Sequence, residues 1–81
     1  MKTIENAALF YKPTCPFCHK VLSFMEQNGI SLDLINILED GNRDKLIALG
    51  GKAQVPCLVI DGKPLYESDD IIAYLKKRIG E

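Results

Sequence analysis

The sequence predicts a small α/β domain built on a four-stranded mixed sheet with three helices on its two faces. Three observations predict it. Strand-like and helix-like segments alternate in the order β-α-β-α-β-β-α. A strand–helix–strand unit closes through a parallel, right-handed crossover. Asp61-Gly62, set between two short apolar runs, turns the last two strands into an antiparallel hairpin. Parallel pairing plus a hairpin gives a mixed sheet covered on both sides.

The elements follow in order. Asn6 to Tyr11 is a short apolar run ended by Lys12-Pro13, a buried strand. From Pro16 to Asn28, Cys18, Val21, Leu22 and Met25 recur at helical spacing, with Pro16 in the first turn and Gly29 where helices commonly end. Leu32 to Ile37 reads as a second strand, apolar on both faces apart from Asp33 and Asn36. Asn42 to Leu49 is a short helix with Leu46, Ile47 and Leu49 inward, ended by Gly50-Gly51. Val55-Pro56 is an extended or turn dipeptide. Cys57 to Ile60 and Lys63 to Tyr66 form the hairpin strands, and Pro64 assigns the second to a sheet edge because it lacks a ladder donor. Ser68 caps the last helix, Asp69 and Asp70 suit its first turn, and Ile72, Leu75 and Ile79 form its buried stripe.

The chain has 81 residues, enough for one domain over 1–81. Hydrophobic residues are 47% and charged residues 26%, which excludes a disordered tail. A net charge of −1 disfavours nucleic-acid binding driven by phosphate neutralisation. The longest apolar stretch near the start is Ala7 to Tyr11, too short for a signal peptide or a membrane helix, so the expected location is the cytoplasm, with no membrane partner. Three cysteines are too few, and an odd number, for a disulfide-stapled scaffold.

The chemistry concentrates at Thr14-Cys15-Pro16-Phe17-Cys18, where the first strand meets the first helix. A Cys-x-x-Cys beside a βαβ pattern is a redox motif. Cys15 would sit at the helix N-terminus with free backbone N–H groups near its sulfur, and Cys18 one turn further in on the same face. A helix terminus contributes at most about 2 kcal/mol, less than the several pKa units by which reactive thiols are lowered. Direct contacts from N–H groups or the Thr14 hydroxyl, and a cation, must supply the rest, and Lys12 is the available cation. Cys15 is therefore expected to be the attacking thiolate and Cys18 the buried resolving thiol. Other readings compete. Cys15 to His19 formally matches a haem-attachment pattern, disfavoured by the internal proline and the α/β context. Cys15, Cys18, His19 and Cys57 are a weak zinc set without a second ligand pair, so no metal is expected. Cys57 reads as a small core residue or as a third redox thiol, and His19 as a surface residue.

Cys15-Pro16-Phe17-Cys18 after a strand, Gln54-Val55-Pro56 before a hairpin and Ser68-Asp69-Asp70 opening the last helix together resemble a glutaredoxin. The resemblance covers essentially the whole chain. Val55 to Gly62 and Leu65 to Leu75 are also similar to the N-terminal domain of glutathione transferases; those proteins need a further helical domain, so a full transferase is not expected of an 81-residue chain. The absence of Trp sets the chain apart from thioredoxins proper.

The resemblance implies the thioredoxin fold, a cis Pro56 facing Cys15, and glutathione as co-substrate. It implies that Lys12 and Gln54 hold the glycyl carboxylate and that the Val55 backbone pairs with the cysteinyl unit. Ser68 and Asp69 would take the γ-glutamyl end, the Asp69 carboxylate pairing its ammonium. Phe17 stands where the family commonly has Tyr and keeps the aromatic surface without the hydroxyl. The implied activity is glutathione-dependent thiol–disulfide exchange on glutathionylated or disulfide-containing proteins by a monomer. Two alternatives keep some of these residues. One draws electrons from thioredoxin reductase. The other is a dimer holding a 2Fe–2S cluster on two Cys15 thiolates and two glutathiones.

Overall fold

A computed structural model describes residues 2–80. The elements are β1 (Lys2–Tyr11), α1 (Pro16–Gln27), β2 (Ile30–Asn36), α2 (Asn42–Gly50), β3 (Cys57–Ile60), β4 (Lys63–Tyr66) and α3 (Ser68–Gly80). The expected order holds throughout. The sheet runs β2-β1-β3-β4. β1 pairs parallel with β2, and the other pairs are antiparallel. β4 lies at an edge, where Pro64 costs no ladder bond.

Period-2 alternation along the strands sorts side chains to two faces. Leu9 and Leu58 point to the face covered by α1 and α3, where they pack with Val21, Met25, Ile71 and Leu75. Phe10, Cys57 and Val59 point to the other face and pack with Leu46 of α2. Leu9, Val21, Leu58, Ile71 and Leu75 are fully buried. Each such side chain contributes about 1.5–3 kcal/mol, so the α1/α3 face carries most of the hydrophobic stabilisation. In the β3–β4 turn, Asp61 and Gly62 both adopt positive φ, 51° and 81°, the backbone that a two-residue hairpin with right-handed twist requires.

Three expectations change. β1 begins at Lys2, not Asn6, because Lys2 and Thr3 pair with Ile30 and Ser31 of β2. The register shifts before Ala8 at Asn6, whose φ is 58° and whose carbonyl accepts the Asp61 N–H at 2.9 Å. This irregularity interrupts the alternation that would have marked a longer strand. In α2 only Leu46 is buried, whereas Ile47 and Leu49 are exposed. The second face covers α2 at one position, where Leu46 packs against Phe10, Cys57 and Val59. In α3 the buried stripe is Ser68, Ile71 and Leu75, with Ile72 and Ile79 packed half-buried beside it. Helical spacing allows either stripe, and packing against Leu9, Val21, Met25 and Leu58 selects this one.

Candidate active site

Cys15 occupies the N-cap of α1, with φ −92° and ψ 117°. The strand ends at Tyr11, and the Cys15 N–H bonds the Lys12 carbonyl at 3.1 Å, which turns the chain into the helix. This leaves the Cys15 sulfur facing the first free N–H groups of α1. It accepts the Cys18 N–H at 3.4 Å. The Cys15 thiol in turn reaches the Val55 carbonyl at 4.0 Å. The Val55–Pro56 peptide is cis, as expected.

The two thiols differ in their ionisation. Burial pushes Cys15 up, but hydrogen bonds from the Cys18 thiol and from the Cys18 and Phe17 N–H groups, with the charge of Lys12, outweigh it, and its pKa falls below the ordinary 9.0. Burial pushes Cys18 up to about 12, and the hydrogen bond and negative charge of Cys15 add to the rise. Cys18 is fully buried, and Cys15 is half-buried. One accessible thiol favouring the charged form thus sits beside one protected thiol favouring the neutral form, the pairing that thiol–disulfide exchange by a dithiol requires.

A groove of about 590 Å³ is lined by Phe17 and Val55, neighbours of Cys15, though not by Cys15 itself. The cis-proline loop contributes Gln54, Val55 and Pro56, α1 contributes Phe17 and Lys20, and the start of α3 contributes Ser68, Asp69 and Asp70, with Glu67 before it. Of the candidate binding residues, Phe17, Gln54, Val55, Pro56, Ser68 and Asp69 come together here. Lys12 does not line the groove and acts on Cys15 through its charge. Phe17 is 63% exposed, an apolar surface next to the reactive sulfur.

Several details were not legible in the sequence. Ser68 is the first residue of α3, not its cap. Glu67 precedes it at φ 73°, and its carbonyl accepts the Ile71 N–H at 3.0 Å, so Glu67 holds the cap position. Gln54 donates to the Glu67 carboxylate at 3.1 Å, tying the proline loop to α3. Asp69 pairs with Lys20 at 2.5 Å across 49 residues of sequence. Thr14 and His19 line a separate shallow depression with Pro13 and Pro16, and His19 is bonded to the Pro13 carbonyl. Cys57 is fully buried on the α2 face. Among the described residues, no three His, Cys, Asp or Glu side chains gather as a metal site, so the zinc set is not assembled. No helix among them is long and apolar enough to cross a membrane.

Comparison with known proteins follows the same lines. Glutaredoxin 3 of Escherichia coli is 32% identical over 73 residues, with 86% of each chain covered. The chain belongs to the glutaredoxin family. Residues 9–81 also match the family described as the glutathione S-transferase N-terminal domain, so this glutaredoxin belongs to that domain family as well. Hybrid peroxiredoxin hyPrx5 of Haemophilus influenzae is 34% identical over 70 residues, 86% of this chain but only 29% of that longer protein. The solved structure of a wheat glutaredoxin superposes with a TM-score of 0.67 at 32% identity, over 88% of this chain and 71% of the wheat chain. These relatives assign the chain to a thiol oxidoreductase family with the thioredoxin fold.

Proposed function

We propose that this chain is a single-domain, monomeric, cytoplasmic glutaredoxin that reduces protein–glutathione mixed disulfides and protein disulfides at the expense of glutathione. The observation that carries the reading is the Cys15–Cys18 pair. Its outer sulfur is lowered in pKa by the start of α1 and reaches the carbonyl of Val55, a residue that lines a groove of peptide size.

In deglutathionylation, the Cys15 thiolate attacks the glutathione sulfur of the mixed disulfide. The bond to the protein sulfur breaks, and the protein thiolate leaves and takes up a proton. A second glutathione, as thiolate, attacks the same glutathione sulfur on Cys15 and leaves as glutathione disulfide, restoring the Cys15 thiolate. With a protein disulfide, Cys15 forms a mixed disulfide with the protein. Cys18 then loses its proton and attacks the Cys15 sulfur, releasing the reduced protein. Two glutathiones reduce the Cys15–Cys18 bridge. Part of what raises Cys18 is the hydrogen bond and charge of Cys15, after the larger effect of burial. That part vanishes once Cys15 is in a neutral disulfide, so Cys18 ionises more easily at the step that needs it.

Glutathione fits the groove as an extended tripeptide. The family description names a glutathione-using domain. Gln54, helped by the charge of Lys12 from outside the groove lining, would hold the glycyl carboxylate, the Val55 backbone the cysteinyl unit, and Ser68 and Asp69 the γ-glutamyl end, with Phe17 flanking the sulfur. Turnover of a small mixed disulfide with glutathione and its reductase, compared with thioredoxin reductase and NADPH, tests the reductant. Cys15→Ser abolishes both deglutathionylation and disulfide reduction, whereas Cys18→Ser abolishes only the second. Equal loss in both variants sinks the role assignment.

A further inference from the structure

The groove contains an unbalanced set of charges. Among the described residues lining it, Lys20 is the one cation, against the carboxylates of Glu67, Asp69 and Asp70. Gln54 engages Glu67. Lys20 reaches from α1 across to Asp69 on α3 and pairs with it at 2.5 Å. The two side chains remain 52% and 81% exposed. Ion pairs this exposed are weak and open readily, so the pair is a poor staple between helices. It is well placed for a different purpose.

We propose that Lys20 is a specificity residue of the groove, and that the Lys20–Asp69 pair opens on binding and is exchanged for two pairs with the ligand. Lys20 takes the α-carboxylate of a γ-glutamyl end, and Asp69 takes its α-ammonium. One ion pair is broken and two are formed, so neither Lys20 nor Asp69 is left unpaired. It rests on the glutathione reading above and adds the residue that reads the far end of the ligand. Glutathione carries two carboxylates and one ammonium. A groove lined by three carboxylates with no cation would repel it, and Lys20 offsets that repulsion where the ligand is zwitterionic. The groove then prefers ligands bearing both charges of an α-amino acid over those with a carboxylate alone.

Steady-state kinetics with glutathione as the varied substrate test this. Lys20→Glu raises the KM for glutathione about tenfold, equivalent to about 1.4 kcal/mol, and leaves kcat within about twofold. Lys20→Arg keeps the KM near that of the parent. The double variant Lys20→Asp, Asp69→Lys restores an α1–α3 ion pair but presents its charges in reverse, and it retains the raised KM. The glutathione analogue lacking the α-amino group shows a raised KM with the parent protein. Recovery of the KM in the double variant overturns the proposal in favour of a helix staple. An unchanged KM in Lys20→Glu, in a parent protein that does turn over glutathione, overturns it while leaving the proposed activity standing. A parent protein that fails to use glutathione overturns both.

Discussion

On the α1 side of the molecule, a cysteine is held where hydrogen bonds outweigh burial. On the α2 side, another is held where burial prevails. Cys15 accepts the Cys18 N–H and lies near Lys12, and its pKa falls. Cys57 is fully buried against Phe10, Leu46 and Val59, and burial raises it despite the Leu65 N–H, the Tyr66 hydroxyl and the charge of Lys52. The two residues have identical side chains, so the contrast isolates the environment. A few N–H groups aimed at an accessible sulfur create a nucleophile, and an apolar cluster silences one. The faces also differ in how firmly they are held. α3 buries Ser68, Ile71 and Leu75, whereas α2 buries Leu46 alone.

The contrast can be broken by labelling. Iodoacetamide should modify Cys15 first, with a rate that rises with pH to a midpoint below 9.0. Cys57 should react at least about 100-fold more slowly, the ratio that a local opening free energy of about 2.8 kcal/mol imposes. Mass spectrometry of partly labelled protein decides the order, and equal labelling of both residues defeats the environmental account.

The next effect concerns the hold on α2. Leu46→Ala should cost about 2–5 kcal/mol. Amide exchange in α2 should rise toward that of an open segment while α3 stays protected. Uniform loss of protection across both helices would mean that the faces unfold as one unit.

A smaller effect sharpens the picture of how the α2 face meets the groove. A Cβ at Gly50 would lie 1.9 Å from the Tyr66 hydroxyl oxygen. That hydroxyl donates to the Lys52 carbonyl at 3.2 Å, and the Lys52 ammonium sits 4.5 Å from the Tyr66 ring centre. The close approach thus pins the segment leading to Gln54 and Val55. Gly50→Ala should displace Tyr66 and destabilise by about 1–3 kcal/mol, read by urea unfolding. An unchanged midpoint would show that Tyr66 yields freely.

Much of the architecture was legible because it is local. The hairpin follows from Asp61-Gly62, the edge position of β4 from Pro64, and the boundary of α1 from Pro16 and the spacing of Cys18, Val21 and Met25. Two misreadings share one cause. The inward set of α2 and the stripe of α3 depend on the direction from which neighbouring elements approach, which a helical period leaves open over a range of adjacent positions. The start of β1 was hidden for a related reason, since Lys2 and Thr3 become strand only through their pairing with β2.

The sequence by itself determined the order of elements, the mixed sheet and the Cys15–Cys18 pair at a strand–helix junction. These depend on neighbours a few residues apart, where periodicity, turn chemistry and helix termini act. Only the tertiary structure decided that Cys57 faces away from α1, that Glu67 rather than Ser68 caps α3, and that Lys20 meets Asp69 at the groove. Those outcomes join residues as much as 49 positions apart. Charge attraction and burial act through space, so their partners become defined only when the sheet has brought α1, α3 and the cis-proline loop to one end.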